Sequence, residues 1–95
     1  MTHNFKEDDT VLVKEPVAVP GFPGIIIPSA TEGTVKAVSD TEVEVYFPTI
    51  LKQIHRQNPQ MLQEFKDSGG SDESRKPARI WIKATNLVRE FKFED

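Results

Sequence analysis

Four prolines within fifteen residues set the first limit on this chain. Residues 16–30, PVAVPGFPGIIIPSA, hold Pro16, Pro20, Pro23 and Pro28. Proline fixes φ and has no N–H to donate, which excludes this stretch from helix and from the middle of a sheet. Val17 and Val19 still alternate, so a short extended piece can continue past Pro16. Gly21 and Gly24 flank Phe22 and Pro23 as a turn, and Ile25, Ile26 and Ile27 form an apolar run closed by Pro28. The segment reads as a long, stiff, apolar loop. Its isoleucines and Phe22 either fold back as a plug or stay outside as a docking surface, because an apolar patch left in water marks a partner.

Alternating strands flank this loop. In residues 10–15, TVLVKE, Val11 and Val13 share one side. Residues 32–47 read as a hairpin: Val35 and Ala37 alternate with Thr34 and Lys36, and Val43, Val45 and Phe47 alternate with Glu44 and Tyr46. Ser39, Asp40 and Thr41 supply the turn. Pro48 stops the second strand, and Thr49 is placed to cap a helix. Ile50, Leu51 and Ile54, then Met61, Leu62 and Phe65, give an apolar helical stripe that restarts at Asn58–Pro59, an N-cap followed by proline in the first turn. A flexible polar loop is expected over 67–78. In RIWIK, Ile80 and Ile82 oppose Trp81; a tight turn at 84–86 leads to a last strand over 87–93, with Leu87, Arg89, Phe91 and Phe93 on one face. Five short strands with a long first loop and a very short last connection predict a mainly β chain. The expected fold is a single domain over 1–95, an SH3-like small five-stranded barrel with a short helical insertion, about 49–66, between strands 3 and 4.

Composition narrows the chemistry. The chain has 95 residues, no cysteine and two histidines, so disulfides, thiolate metal sites and cysteine nucleophiles are excluded. His3 and His55 stand in no ligand spacing, and His55 reads as ordinary helix surface. The carboxylates Glu7, Asp8 and Asp9, and Asp72 and Glu73, fall in polar loops that would not raise a pKa for acid–base work. Gly69 and Gly70 lack the lysine of a phosphate loop. The expectation is a non-enzyme without cofactor or metal. No apolar run approaches a membrane span, and MTHNFKEDD is not a signal peptide, so a soluble cytoplasmic protein is expected.

Charge is segregated. Residues 75–92 carry six basic side chains against Glu90 alone, while residues 1–74 carry six basic and twelve acidic. A basic end points to an anionic partner or to a protected sheet edge. Two partner classes follow. The first is a protein bound by docking, through Phe22, Ile25, Ile26 and Ile27 together with Arg79, Trp81 and Lys83; apolar residues supply affinity and cations steer an acidic partner. The second is nucleic acid, with Trp81 as a stacking platform among Arg79, Lys83, Arg89 and Lys92.

With VLVKEPVAVP, EGTV, VEVYF and TNLV laid out, the chain resembles the small SH3-like subunits of photosynthetic electron-transfer complexes, nearest the variable subunit of ferredoxin–thioredoxin reductase. Where that family has histidines after the first valine run, this chain has Gly21, Phe22 and Pro23. The resemblance implies a non-catalytic barrel that clamps a redox partner, with the cofactor and redox cysteines on that partner.

Overall fold

The computed structural model describes residues 3–89. Its framework is a five-stranded antiparallel sheet built from β1 (Thr10–Val13), β4 (Glu32–Val38), β5 (Glu42–Tyr46), β6 (Arg79–Lys83) and β7 (Leu87–Arg89), in the order β6-β5-β4-β1-β7. Successive strands of this set pair as a meander, and the last returns beside the first. β6 and β7 form the two edges. The fold is mainly β, as expected, with the helical segment between the third and fourth strands of the sheet.

The proline-bounded loop contains a small hairpin of its own, β2 (Val17–Ala18) paired with β3 (Ile26–Ile27). Each strand has only two residues, which is what the flanking prolines allow. Val19, Ile25 and Ile27 turn inward and join the core, while Ile26 faces out. Much of the plug therefore forms, and the four-residue docking patch does not. The hairpin base is tied down at a distance. Asn86 Oδ1 accepts from Glu15 N–H at 3.0 Å, and Asn86 Nδ2 donates to the Glu15 carbonyl at 3.1 Å. Lys14 N–H adds a bond of 2.8 Å to the Asn86 carbonyl.

The core is one cluster. Val11 and Val13 from β1, Val35 from β4, Val43 and Val45 from β5, Ile80 and Ile82 from β6 and Leu87 from β7 face it from the sheet. Phe47, just past β5, is wholly buried. Removing a side chain of this size from water contributes about 2–3 kcal/mol. Gly33 makes that position possible. A Cβ built there would lie 2.4 Å from Val45 Cγ1 and 2.8 Å from the Phe47 ring.

The helical segment opens with a 3-10 turn, Pro48–Ile50, and continues as α1 (Leu51–Gln57) and α2 (Pro59–Asp67). Asn58 caps α2 by accepting from Met61 N–H at 3.3 Å, with Pro59 in the first turn. Thr49 forms no cap; Pro48 starts the segment instead. Ile50, Leu51 and Ile54 are buried, whereas Met61, Leu62 and Phe65 are only half-buried, so α1 is the packed helix and α2 its outer cover. His55 is buried too, with its ring 5.1 Å from that of Phe65, so it is not the surface residue expected.

One further expectation changes. The stretch 67–78, expected as a flexible loop, includes a 3-10 helix, Glu73–Ala78. Gly69 and Gly70 take φ of +68° and +74°, a region open to glycine, and Gly70 N–H bonds back to Phe65 O at 2.9 Å, closing α2. At the start of the described chain, His3 Nε2 lies 2.5 Å from the Ser39 carbonyl, and Phe5 rests against the core. The last strand is seen over Leu87–Arg89; Phe91, Lys92 and Phe93 lie outside the described residues.

Gly33→Ala is expected to destabilise the fold by about 2–3 kcal/mol, the usual scale for overpacking a tight core. Thermal unfolding followed by circular dichroism checks this; an unchanged midpoint would show that Phe47 can move aside.

Candidate functional site

Strand register decides which side chains meet on the outside of the sheet. Val43 pairs with Ile82 and Val45 with Ile80, and these four are buried. The alternate pairs are Glu42 with Lys83, Glu44 with Trp81 and Tyr46 with Arg79. Successive side chains on a strand point to opposite faces, so these six share the outer face. A bulge in β4 adds a seventh. Val35 opposes Val45 and Ala37 opposes Glu44, leaving Lys36 as the extra residue. The simple alternation expected over 34–37 is broken there. The Lys36 Nζ lies 6.0 Å from the centre of the Tyr46 ring.

Two concavities lie on this face. One is an open groove of about 450 Å³, where Trp81 and Lys83 of β6 and Glu42 of β5 meet Glu15 and Val17 at the hairpin base and Asn86 in the last 3-10 turn. Trp81 is 46% exposed, a high value for the chain's single tryptophan. The other is a pocket of about 220 Å³ lined by Lys36, Tyr46, Asp72, Arg75 and Arg79.

The 3-10 helix Glu73–Ala78 and the turn before it build the wall of that pocket. Arg75 Nε donates to the Gly70 carbonyl at 2.8 Å, its Nη1 donates to the Tyr46 hydroxyl at 3.1 Å, and its guanidinium lies 5.5 Å from the Phe65 ring centre. Arg79 Nη2 pairs with Asp72 Oδ1 at 2.5 Å. Arg79 Nε is buried and has no hydrogen-bond partner among the described residues. The Asp72 carboxyl is held below its ordinary value of 3.8, first by the hydrogen bond from Arg79, then by the charge of Arg79, with smaller help from Lys36 and Lys76 against a small opposing effect of burial. Three cations thus face one carboxylate.

The residues expected to act together are divided by the fold. Ile25 and Ile27 belong to the core and cannot reach a partner, and Phe22 is half-buried against the core. Ile26 alone of the four is exposed, at 47%. Their alternation on β3 and its approach sends neighbours in opposite directions, which a bare apolar run does not reveal. Arg79, Trp81 and Lys83 do share a face. Arg89 does not join them: it lies on β7, the opposite edge strand, where it pairs with Asp9 at 3.1 Å, donates to the Asn4 carbonyl and covers the Phe5 ring. Lys92 lies outside the described residues. The side chains beside Trp81 across the strands are acidic, Glu42 and Glu44, which breaks the expected cationic platform.

Lys36, Tyr46 and Arg75 are not among the site residues expected from sequence, and Asp72 is read there only as a loop carboxylate. Tyr46 was readable as an outward position and Arg75 as part of the basic end. Lys36 was readable as an outward position as well, opposite Val35, whereas nothing in the sequence marks the bulge beside it. Among the described residues, no group of three or more His, Asp or Glu side chains is arranged to hold a metal ion. No described helix is long and apolar enough to cross a membrane. Comparison with protein-family models, curated proteins and solved structures finds no match for this chain.

Because the Asp72 pKa is lowered in the fold, its contribution to stability is present above the ordinary value of 3.8 and is lost as pH falls through the folded value. A carboxyl-detected NMR titration is expected to place the Asp72 midpoint below 3.8, and Arg79→Ala to move it back up. An Asp72 midpoint indifferent to Arg79 would contradict the pairing.

Proposed function

We propose that this chain is a non-catalytic interaction module, an SH3-like barrel that docks on a protein partner through the outer face of β4, β5 and β6. The observation that carries the reading is the half-exposed Trp81 in its groove. Tryptophan is the residue type most enriched among the side chains that dominate binding energy, and it does so when a partner seals it from water. Val17 supplies apolar area beside it, while Glu42, Lys83 and Asn86 supply polar contacts at the rim, the anatomy of a small docking site.

Support for the SH3-like reading comes from the strand order, in which a four-strand meander is completed by a fifth strand beside the first. The long first connection and the single 3-10 turn, Ala84–Asn86, before the last strand add to it. The resemblance of VLVKEPVAVP, EGTV and TNLV to the variable subunit of ferredoxin–thioredoxin reductase supports the same kind of role, a barrel that clamps a catalytic redox partner. The acidic neighbours of Trp81 favour a protein over a nucleic acid, whose phosphates they would repel.

Affinity capture from the source cells with wild type beside a Trp81→Ser, Lys83→Glu variant tests this. A protein partner is expected to be depleted on the order of 30-fold or more in the variant, the scale of losing a dominant contact. Thermal stability of the exposed-site variant should stay within about 0.5 kcal/mol of wild type. The same partners recovered equally by both, or nucleic acid as the main captured species, would overturn the reading.

A further inference from the structure

The pocket formed by Lys36, Tyr46, Arg75 and Arg79 has no part in the Trp81 groove, and its charge is unbalanced. Lys36 Nζ makes no ion pair or hydrogen bond among the described residues and stands over Tyr46. Arg75 is locked in place by the Gly70 carbonyl and the Tyr46 hydroxyl, which leaves its Nη2 without a hydrogen-bond acceptor among the described residues. Arg79 is 86% buried by side chain, being 14% exposed, and keeps a buried Nε–H unpaired. Among the described residues Asp72 is the one acid lining the pocket, and its exposed carboxylate pairs with Arg79, so the lining carries one negative charge against three positive. Burying cations with unused donors is unfavourable unless an acceptor arrives.

We propose that this pocket binds a phosphate monoester group carried on an extended protein segment. Three features select that group. A phosphate monoester carries about −1.5 to −2 charge and three acceptor oxygens, which matches two guanidinium groups, one ammonium and a phenol better than the two oxygens and single charge of a carboxylate. The pocket volume of about 220 Å³ is several times the roughly 30 Å³ that one water occupies in the liquid, enough for a tetrahedral group. A backbone phosphodiester carries only one charge per group, and a strand of them running along this face meets Glu44 and Glu42 next to the pocket. Asp72 acts as an internal stand-in: its carboxylate pairs with Arg79 and yields when a stronger anion arrives.

Arg79 and Trp81 are two residues apart on β6, about 7 Å along the strand. A segment lying along β6 therefore places its phosphorylated residue in the pocket and a residue two positions away over Trp81. Only this identification of the carrier rests on the docking reading above; affinity for the phosphate group is a property of the pocket alone.

NMR titration of the 15N-labelled protein separates the two. The probes are N-acetyl-phosphoserine methylamide, N-acetyl-glutamate methylamide as a carboxylate control, and a single-stranded oligonucleotide. The phosphoserine probe is expected to shift the amides around Lys36, Tyr46, Arg75 and Arg79 and to bind at least tenfold more tightly than the glutamate probe. Lys36→Gln, which removes an ammonium that makes no hydrogen bond or ion pair among the described residues, is expected to weaken it about tenfold, the effect of losing one charged donor. Asp72→Asn should strengthen it several-fold, which a loss of folding could not imitate. Trp81→Ser should leave it unchanged, so failure of the docking surface is told apart from failure of the pocket. Equal binding of the two amino-acid probes, no shifts at these positions, or weaker binding by Asp72→Asn would overturn the phosphate site. An oligonucleotide that binds more tightly than the phosphoserine probe and is lost in Lys36→Gln would overturn the protein carrier.

Discussion

The absence of a side chain at residue 33 is the constraint on which the rest of this structure hangs. Gly33 pairs with Val11 on β1, and the space above it is filled by the Phe47 ring and Val45. Phe47 in turn fixes both ends of the helical segment. Its N–H donates to the Ala78 carbonyl at 3.0 Å, so the chain leaves the sheet at 47 and returns at 78 to nearly the same point. The long excursion between β5 and β6 therefore behaves as the loop of a hairpin, and Tyr46 still faces Arg79 across the strands. Without that close approach the two halves of the outer face would have no common register.

The outer face inherits its character from this arrangement. The buried side of β5 and β6 is uniformly aliphatic, which leaves every charged and aromatic residue of the two strands on the other side. One end of that side becomes cationic because the excursion returns through Arg75, and because Lys36 of β4 faces outward beside it. The other end is mixed in charge and centred on Trp81. A single face thus carries two concavities of different charge within a few residues of each other.

Much of the architecture was legible in the sequence, and the reasons are particular. Period-2 alternation located the sheet strands because each has one buried face, as Val43 and Val45 show. Asn58–Pro59 announced α2 because capping is a local interaction. The sequence failed where the outcome depended on partners far along the chain. Ile25, Ile26 and Ile27 look alike until the pairing of β3 with β2 sends the outer two inward. His55 is a polar residue in a polar stretch until Phe65 of α2 folds over it. The region 67–78 reads as loose by composition, yet Arg75 ties it to Gly70 and Tyr46. The cation pocket is hidden for the same reason, since its members come from β4, β5, the 3-10 helix and β6. Arg89 was misplaced because sequence proximity to Lys83 says nothing about which edge of a sheet a strand will join.

The Asn86 clamp on Glu15 joins residues 71 positions apart. Its consequence is one of timing. The hairpin of β4 and β5 closes over a three-residue turn and can form by itself on a timescale of about microseconds. The clamp and the β1–β7 pairing bring the two ends of the described chain together, so each closes a long loop at a correspondingly high entropic cost. Until they form, the base of the proline-bounded loop has nothing to hold it, and one wall of the Trp81 groove is missing. The Trp81 groove thus takes its full shape only when both ends of the described chain have met.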